Sequence, residues 1–191
     1  MPTSDPQKPT TDLSRFNNDW FDRGASRWKQ LAWYLVNALF FINPLNPSSG
    51  LKVALLKMFG AKVGKGVLIK PGVNIKFPWK LEVGDHVWIG ERVWIDNLDQ
   101  VVIESQVCLS QGAMLLCGNH DYKKATFDLM IGPIYLETGV WIGAGSLVGP
   151  GVRCGSHAVL AVCSVANRDL APYSIYRGNP AEKIREREIH E

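Results

Sequence analysis

At 191 residues the chain suits one domain with an appended arm, and 46% apolar residues are ample for a core. A net charge of +3 is too small to argue for a nucleic-acid partner. Cys108, Cys117, Cys154 and Cys163 lack the spacing of a metal site or a redox pair, so they read as small core or corner fillers. With no signal-peptide pattern in view, the expected setting is cytoplasmic.

Residues 1–15 are rich in Pro, Thr, Ser and Asp and read as a floppy tail. Residues 16–62 form a helical arm and cap. Within it, Gly24 to Ile42 reads as a helix stopped by Asn43-Pro44. Its apolar run, Leu31 to Ile42, is too short to span a bilayer. Such a helix either packs on the solenoid or a neighbouring subunit, or lies in a membrane interface, where Arg23, Arg27 and Lys29 would flank its Trp and Phe side chains. Hydrophobic length alone does not choose between these. Leu51 to Phe59 reads as a second helix with Ser48 or Ser49 as N-cap and Gly60 as stop, capping the structure that follows.

From Val63 to about Leu170 the chain repeats every six residues. Hexads start at Val63, Ile69, Val83, Ile89, Ile103, Leu109, Leu136, Ile142, Val148, Cys154 and Leu160. Their fifth positions (Val67, Val73, Val87, Val93, Val107, Ala113, Val140, Ser146, Val152, Ala158 and Ser164) are all Val, Ala or Ser. A period of six fits neither a helix nor a plain strand and demands a solenoid of short strands. Position 1 puts a large aliphatic group inside, position 5 a small one near a corner, and Gly-rich positions between them permit φ > 0. Breaks follow the third hexad of a coil: Ile75 to Val83, Ile95 to Ile103 and Leu115 to Leu136. These breaks predict five triangular coils over 63–170, starting at Val63, Val83, Ile103, Leu136 and Cys154, with the insertions stacked at one corner. The chain would then leave the prism through Asp169-Leu-Ala-Pro. The extension 171–191 would end in a short charged helix from Ala181.

Position 6 points outward. On one face it is Leu68, Trp88, Cys108, Trp141 and Val159; on the next it is Asn74, Trp94, Met114, Leu147 and Val165. Two such columns are a poor surface for a monomer and predict contact with other subunits. The functional candidate is the long insertion, Cys117 to Tyr135, whose His120 is a side chain suited to take a proton from an alcohol, although spacing alone favours a loop histidine that only hydrogen-bonds locally. Because Leu115 stacks over Ile95, Asn97 falls one strand spacing, roughly 4.8 Å, below Cys117. His120 and Asn97 could therefore share a pocket. His86 and His157 sit at position 4, an exposed turn position, and are too far apart to share a zinc ion.

The hexads, with Trp94-Ile-Asp-Asn-Leu, Cys108-Leu-Ser-Gln-Gly-Ala, Gly118-Asn-His-Asp-Tyr, Val140-Trp-Ile-Gly-Ala-Gly and Gly178-Asn-Pro-Ala, resemble the hexapeptide-repeat acyltransferases, and among them the colanic-acid-biosynthesis type. The resemblance covers roughly residues 12 to 187. It implies an all-β solenoid, the left-handed parallel β-helix, assembled as a homotrimer. It implies an O-acetyltransferase of exopolysaccharide biosynthesis with acetyl-coenzyme A as donor and no metal. The acceptor would be a sugar or lipid-linked saccharide, met at the inner face of the plasma membrane if the arm touches lipid. By the resemblance His120 is the catalytic base, and Asn97 and Asp121 serve the acceptor. The coenzyme would meet Trp141, Gly143, Ala144, Val162, Asn167 and Arg185, with Arg168, Arg177 and Lys183 near its phosphates. The chain departs from the family pattern at Ala161, Cys163, Asn167 and Glu182-Lys183, all in or after the last coil. A scaffold without turnover, or an acetyltransferase for a non-sugar acceptor such as serine, are the competing expectations.

Overall fold

A computed structural model of the chain describes residues 9–190, in which the six-residue period becomes a three-sided parallel coil. The first face stacks Lys62–Val63, Leu81–Val83, Val101–Ile103, Ile134–Leu136 and Arg153–Cys154. The second begins with Leu68–Ile69, Trp88–Ile89, Cys108–Leu109, Trp141–Ile142 and Val159–Leu160. The third stacks Asn74–Ile75, Trp94–Asp96, Met114–Leu116, Leu147–Val148 and Val165–Ala166. Strands pair one coil apart and in register, so Ile75, Ile95, Leu115, Val148 and Ala166 form one inward column. All of the fifth-position residues are buried, and so are the first-position residues from Ile69 onward. At the corner after the first face the backbone turns through φ > 0 in every coil. Glycine takes this turn at Gly66 and Gly139, but His86, Gln106 and His157 adopt it at φ 56, 63 and 60. Each of these costs about 1–2 kcal/mol against glycine and is held by the ladder on either side. At the next corner Ser146 and Ser164 relay hydrogen bonds between coils. Ser146 Oγ donates to the Ala161 carbonyl at 2.7 Å and accepts from Ser164 N at 3.2 Å.

The coil count and the C-terminus differ from expectation. After the fifth coil the chain stays on the prism: Leu170 bridges Cys154 on the first face, and Ser174–Gly178 pairs with Val159–Leu160 on the second. A sixth, partial turn results. Ala181–Glu186 is an antiparallel strand on Ser174–Gly178, not a helix. The open edge of Ser174–Gly178 offers unpaired N–H and C=O groups, and satisfying them outweighs the helix propensity of a Glu/Lys/Arg run. The exposed charges Glu182, Lys183, Arg185 and Glu186 then blunt the new edge. Val159, expected to point outward to another subunit, is buried within the chain.

At the opposite end, helix α2 (Ser49–Met58) caps the prism as expected, with Ser48 Oγ accepting from Leu51 N and Gly60 leaving at φ 101. Its Lys52 is fully buried, donating from Nζ to the carbonyls of Ile69 at 3.3 Å and Lys70 at 3.0 Å. Burial pushes the Lys52 pKa below its ordinary value. Helix α1 runs Arg27–Val36, N-capped by Ser26, and continues as a π-helical turn over Asn37–Ile42. It starts later than expected because Gly24 sits at φ 76. The widened turn is tied to the first coil: Asn37 Nδ2 donates to Asn74 Oδ1 at 2.7 Å, and the Phe41 carbonyl accepts from Gly72 N. Of the expected tail, residues 1–8 lie outside the described residues. Residues 12–15 are ordered: Leu13–Arg15 form a single 3-10 turn, and Asp12 N donates to the Ala125 carbonyl.

Candidate active site

The three insertions do stack at the corner between the third and first faces, and together they build one cavity of about 680 Å³. The first insertion, around the turn Pro78–Lys80, catches the N-terminal arm. Trp79 Nε1 donates to the Arg23 carbonyl at 2.7 Å, and Lys80 Nζ donates to the Asp22 carbonyl at 2.9 Å and the Leu98 carbonyl at 2.7 Å. Lys80 also lies over the Phe21 ring at 4.9 Å. Desolvation lowers its pKa, against the pull of Asp99 and Asp22. The second insertion contributes Asp96 and Leu98. The third is a hairpin, Gly118–His120 paired with Leu129–Ile131, and it brings His120. The arm closes the remaining side with Phe16, Phe21, Arg23, Gln30, Trp33 and Asn37.

His120 is oriented by its own hairpin. Its Nδ1 lies 2.9 Å from the Phe127 carbonyl. A carbonyl only accepts, so Nδ1 carries a proton, and in the neutral ring Nε2 is the nitrogen with the lone pair. Phe127 sits at φ 52, and its ring stacks on the imidazole at 4.5 Å and 9°. The Phe16 ring from the arm stands 5.6 Å from the same imidazole. One side-chain nitrogen is thus fixed as a donor and the ring packs against two aromatics, leaving the other nitrogen, in the neutral ring, able to accept a proton from a bound hydroxyl.

Asn97 does not share this cavity. It lies in the expected register under Cys117, but it is fully buried and both ends of its amide are used. Nδ2 donates to the Phe77 carbonyl at 2.6 Å, and Oδ1 accepts from Phe77 N at 2.9 Å. Strand alternation gives the reason: Ile95 and Asn97 point in, so Asp96 points out. The outward carboxylate takes the place expected for Asn97, with Lys76 Nζ 2.8 Å from its Oδ1. That contact is an ion pair lacking hydrogen-bond direction, so Oδ1 is buried without a hydrogen-bond partner among the described residues. Asp121 also stays outside the cavity lining, its Oδ1 accepting from Lys123 N in the hairpin turn.

The residues expected around a coenzyme fall elsewhere. Trp141, Gly143, Ala144 and Val162 gather around the second face and the corner that follows it. Trp141 Nε1 donates to Ser110 Oγ at 2.9 Å, Gly143 N to the Leu160 carbonyl, and Cys163 N to the Ala144 carbonyl. Asn167 and Arg168 follow the last strand of the third face; Lys183 and Arg185 lie exposed on the edge strand. Arg177, in the strand beneath, is exposed as well. None of these lines the His120 cavity. Sequence reasoning missed Phe127, Phe16, Asp96 and the arm as a wall. The stacked insertions were the available signal, since segments sharing a corner must border a common space.

No protein-family model matches the chain. It is 35% identical over 176 residues to the colanic acid biosynthesis acetyltransferase WcaF of Escherichia coli (strain K12), covering 92% of this chain and 97% of that one. The chain belongs to the colanic acid biosynthesis acetyltransferase family. Galactoside O-acetyltransferase of Escherichia coli (strain K12) is more distant, 24% identical over 136 residues, 70% of this chain and 67% of that protein. Among solved structures, a hexapeptide-repeat acetyltransferase from Vibrio cholerae O1 biovar eltor, complexed with acetyl-coenzyme A, superposes with a TM-score of 0.75. It is 22% identical, covering 88% of this chain and 93% of that one. A galactoside acetyltransferase in complex with coenzyme A gives 0.74 at 22% identity, over 84% and 82%. The solenoid is the left-handed β-helix of these acetyltransferases, and the protein is an acyltransferase.

Proposed function

We propose that the protein moves an acetyl group from acetyl-coenzyme A to a saccharide hydroxyl in exopolysaccharide biosynthesis, with His120 as general base. The observation that carries this reading is the tautomer fixed by the Phe127 carbonyl in a cavity of about 680 Å³, a size suited to a small sugar unit. Aromatic rings on the wall and the carboxylate of Asp96 suit a ligand with apolar faces and hydroxyl edges. His120 Nε2 takes the hydroxyl proton as the oxygen attacks the thioester carbonyl. The C–S bond breaks, and the proton passes from His120 to the departing thiolate. An acetyl ester and the free thiol of the coenzyme result.

The donor site we assign to Trp141, Gly143, Ala144, Val162, Asn167, Arg168, Lys183 and Arg185 requires a second chain, because in one chain these residues stay apart from His120. A homotrimer supplies it. Support comes from the outward columns: Leu68, Trp88, Trp94 and Trp141 are 43%, 59%, 41% and 46% exposed, an apolar surface that a neighbouring prism would cover. We also propose a cytoplasmic setting, in keeping with four cysteines that stand as free thiols. Mass spectrometry of a saccharide panel incubated with enzyme and acetyl-coenzyme A tests the reading. Gain of one alkali-labile acetyl ester on a saccharide supports it. Acetylation of serine or an amine alone would replace the acceptor class.

A further inference from the structure

The outward side of the N-terminal arm is apolar, and nothing in the described chain covers it. On α1 the cavity residues Gln30, Trp33, Tyr34 and Asn37 recur at three and four positions and so share one side. Trp28, Leu31, Leu35 and Leu39 fall on the opposite side, 81%, 51%, 53% and 59% exposed. Leu45, beyond the π-helical turn, is exposed as well.

The charge along this stretch of sequence is one-sided. Between Asp22 and Glu82 the sequence holds ten of its 21 Lys/Arg and none of its 18 Asp/Glu. That stretch is the arm, the cap helix and the first coil, which is one end of the prism. Arg27, Lys57, Lys65 and Lys70 are exposed there and join none of the ion pairs among the described residues. A second copy presenting the same face would bring like charges together, and the neighbours of the proposed trimer would meet through the outward columns of the prism instead. An anionic bilayer offers both an apolar boundary for Trp and Leu and negative headgroups for Arg27 on the same helix and for the cations of the same end of the prism. No helix among the described residues is long and apolar enough to cross a membrane, which leaves the arm lying on the surface.

We propose that this arm docks the protein on an anionic lipid surface through Trp28, Leu31, Leu35 and Leu39. The other side of the same helix lines the His120 cavity, so docking presents that cavity at the membrane, where a lipid-linked saccharide would meet it. This last step rests on the saccharide reading above; the docking does not.

Flotation of the full chain with phosphatidylglycerol–phosphatidylcholine vesicles, against phosphatidylcholine alone, is the test. The chain is expected to float with the anionic vesicles, to float poorly with the neutral ones, and to be released as salt rises. Leu31→Glu combined with Leu35→Glu should weaken binding about tenfold or more, with circular dichroism and particle mass unchanged. The proposal is overturned if the wild type ignores anionic vesicles or the double variant floats as well as wild type. It is equally overturned if the double variant has a smaller particle mass, because the stripe would then be covered by another copy. A chain that floats yet acetylates no saccharide upholds the docking and removes only the acceptor reading.

Discussion

The Asp96 carboxylate faces the cavity with one oxygen 2.8 Å from Lys76 and short of hydrogen-bond partners. The side chain keeps 16% of its exposure, which leaves the other oxygen to accept from a bound hydroxyl. Asp96→Asn should raise the acceptor KM and lower kcat/KM about tenfold, the scale of one hydrogen bond to a charged group, and steady-state kinetics will read it. The thiols give a second check. Burial pushes Cys117 and Cys154 up to about 12, whereas Cys163 is exposed. Iodoacetamide at pH 8 should label Cys163 in the native protein and leave Cys117 and Cys154 unlabelled until denaturant is added, as peptide mass spectrometry will show. His120 was singled out through the Gly118-Asn-His-Asp-Tyr run of the family resemblance, since its spacing alone favours a histidine that only hydrogen-bonds within its loop. Asn97 was placed in the right register and on the wrong side, since register arithmetic says nothing of which way a strand residue faces. The Phe127 contact had no sequence signal, because its hydrogen bond is made by a backbone carbonyl.

Among the elements, the hexads were the readable part, each repeat restating the same demand for one large and one small inward side chain. Gly143 shows how tight the stacking is: a Cβ there would lie 2.6 Å from Val162 N in the next coil. Gly143→Ala should cost about 1–3 kcal/mol, the usual penalty of overpacking, measured as a lower midpoint in urea. The N-terminal arm is held by fewer interactions. Gly24 needs φ 76, and a Cβ there would stand 3.2 Å from Trp79 Cδ1. Gly24→Val should loosen the arm, raising acceptor KM while leaving the prism's thermal midpoint nearly unchanged. The C-terminal strand was not legible. Glu182 to Glu188 has no period, and its conformation is imposed by the edge it pairs with. Arg187 then ties it down, donating to the carbonyls of Gly139 at 2.9 Å and His157 at 3.0 Å.

For the whole molecule, the prism holds His120 at one corner and the residues we assign to the coenzyme apart from it, so the proposed transfer would need neighbouring chains. Trp88→Asp puts a charge in the exposed apolar column and should reduce a trimer to monomers, with light scattering reporting the mass. Assembly was only half legible, since outward columns name a face without naming what covers it, and Val159 in one column is buried within the chain itself. The most direct measurement on the central claim is acetyl transfer to a saccharide by His120→Ala, alongside a mass determination. Loss of roughly 10²–10⁴ in kcat with the assembly intact is the predicted result. Turnover equal to wild type in an intact assembly would contradict it.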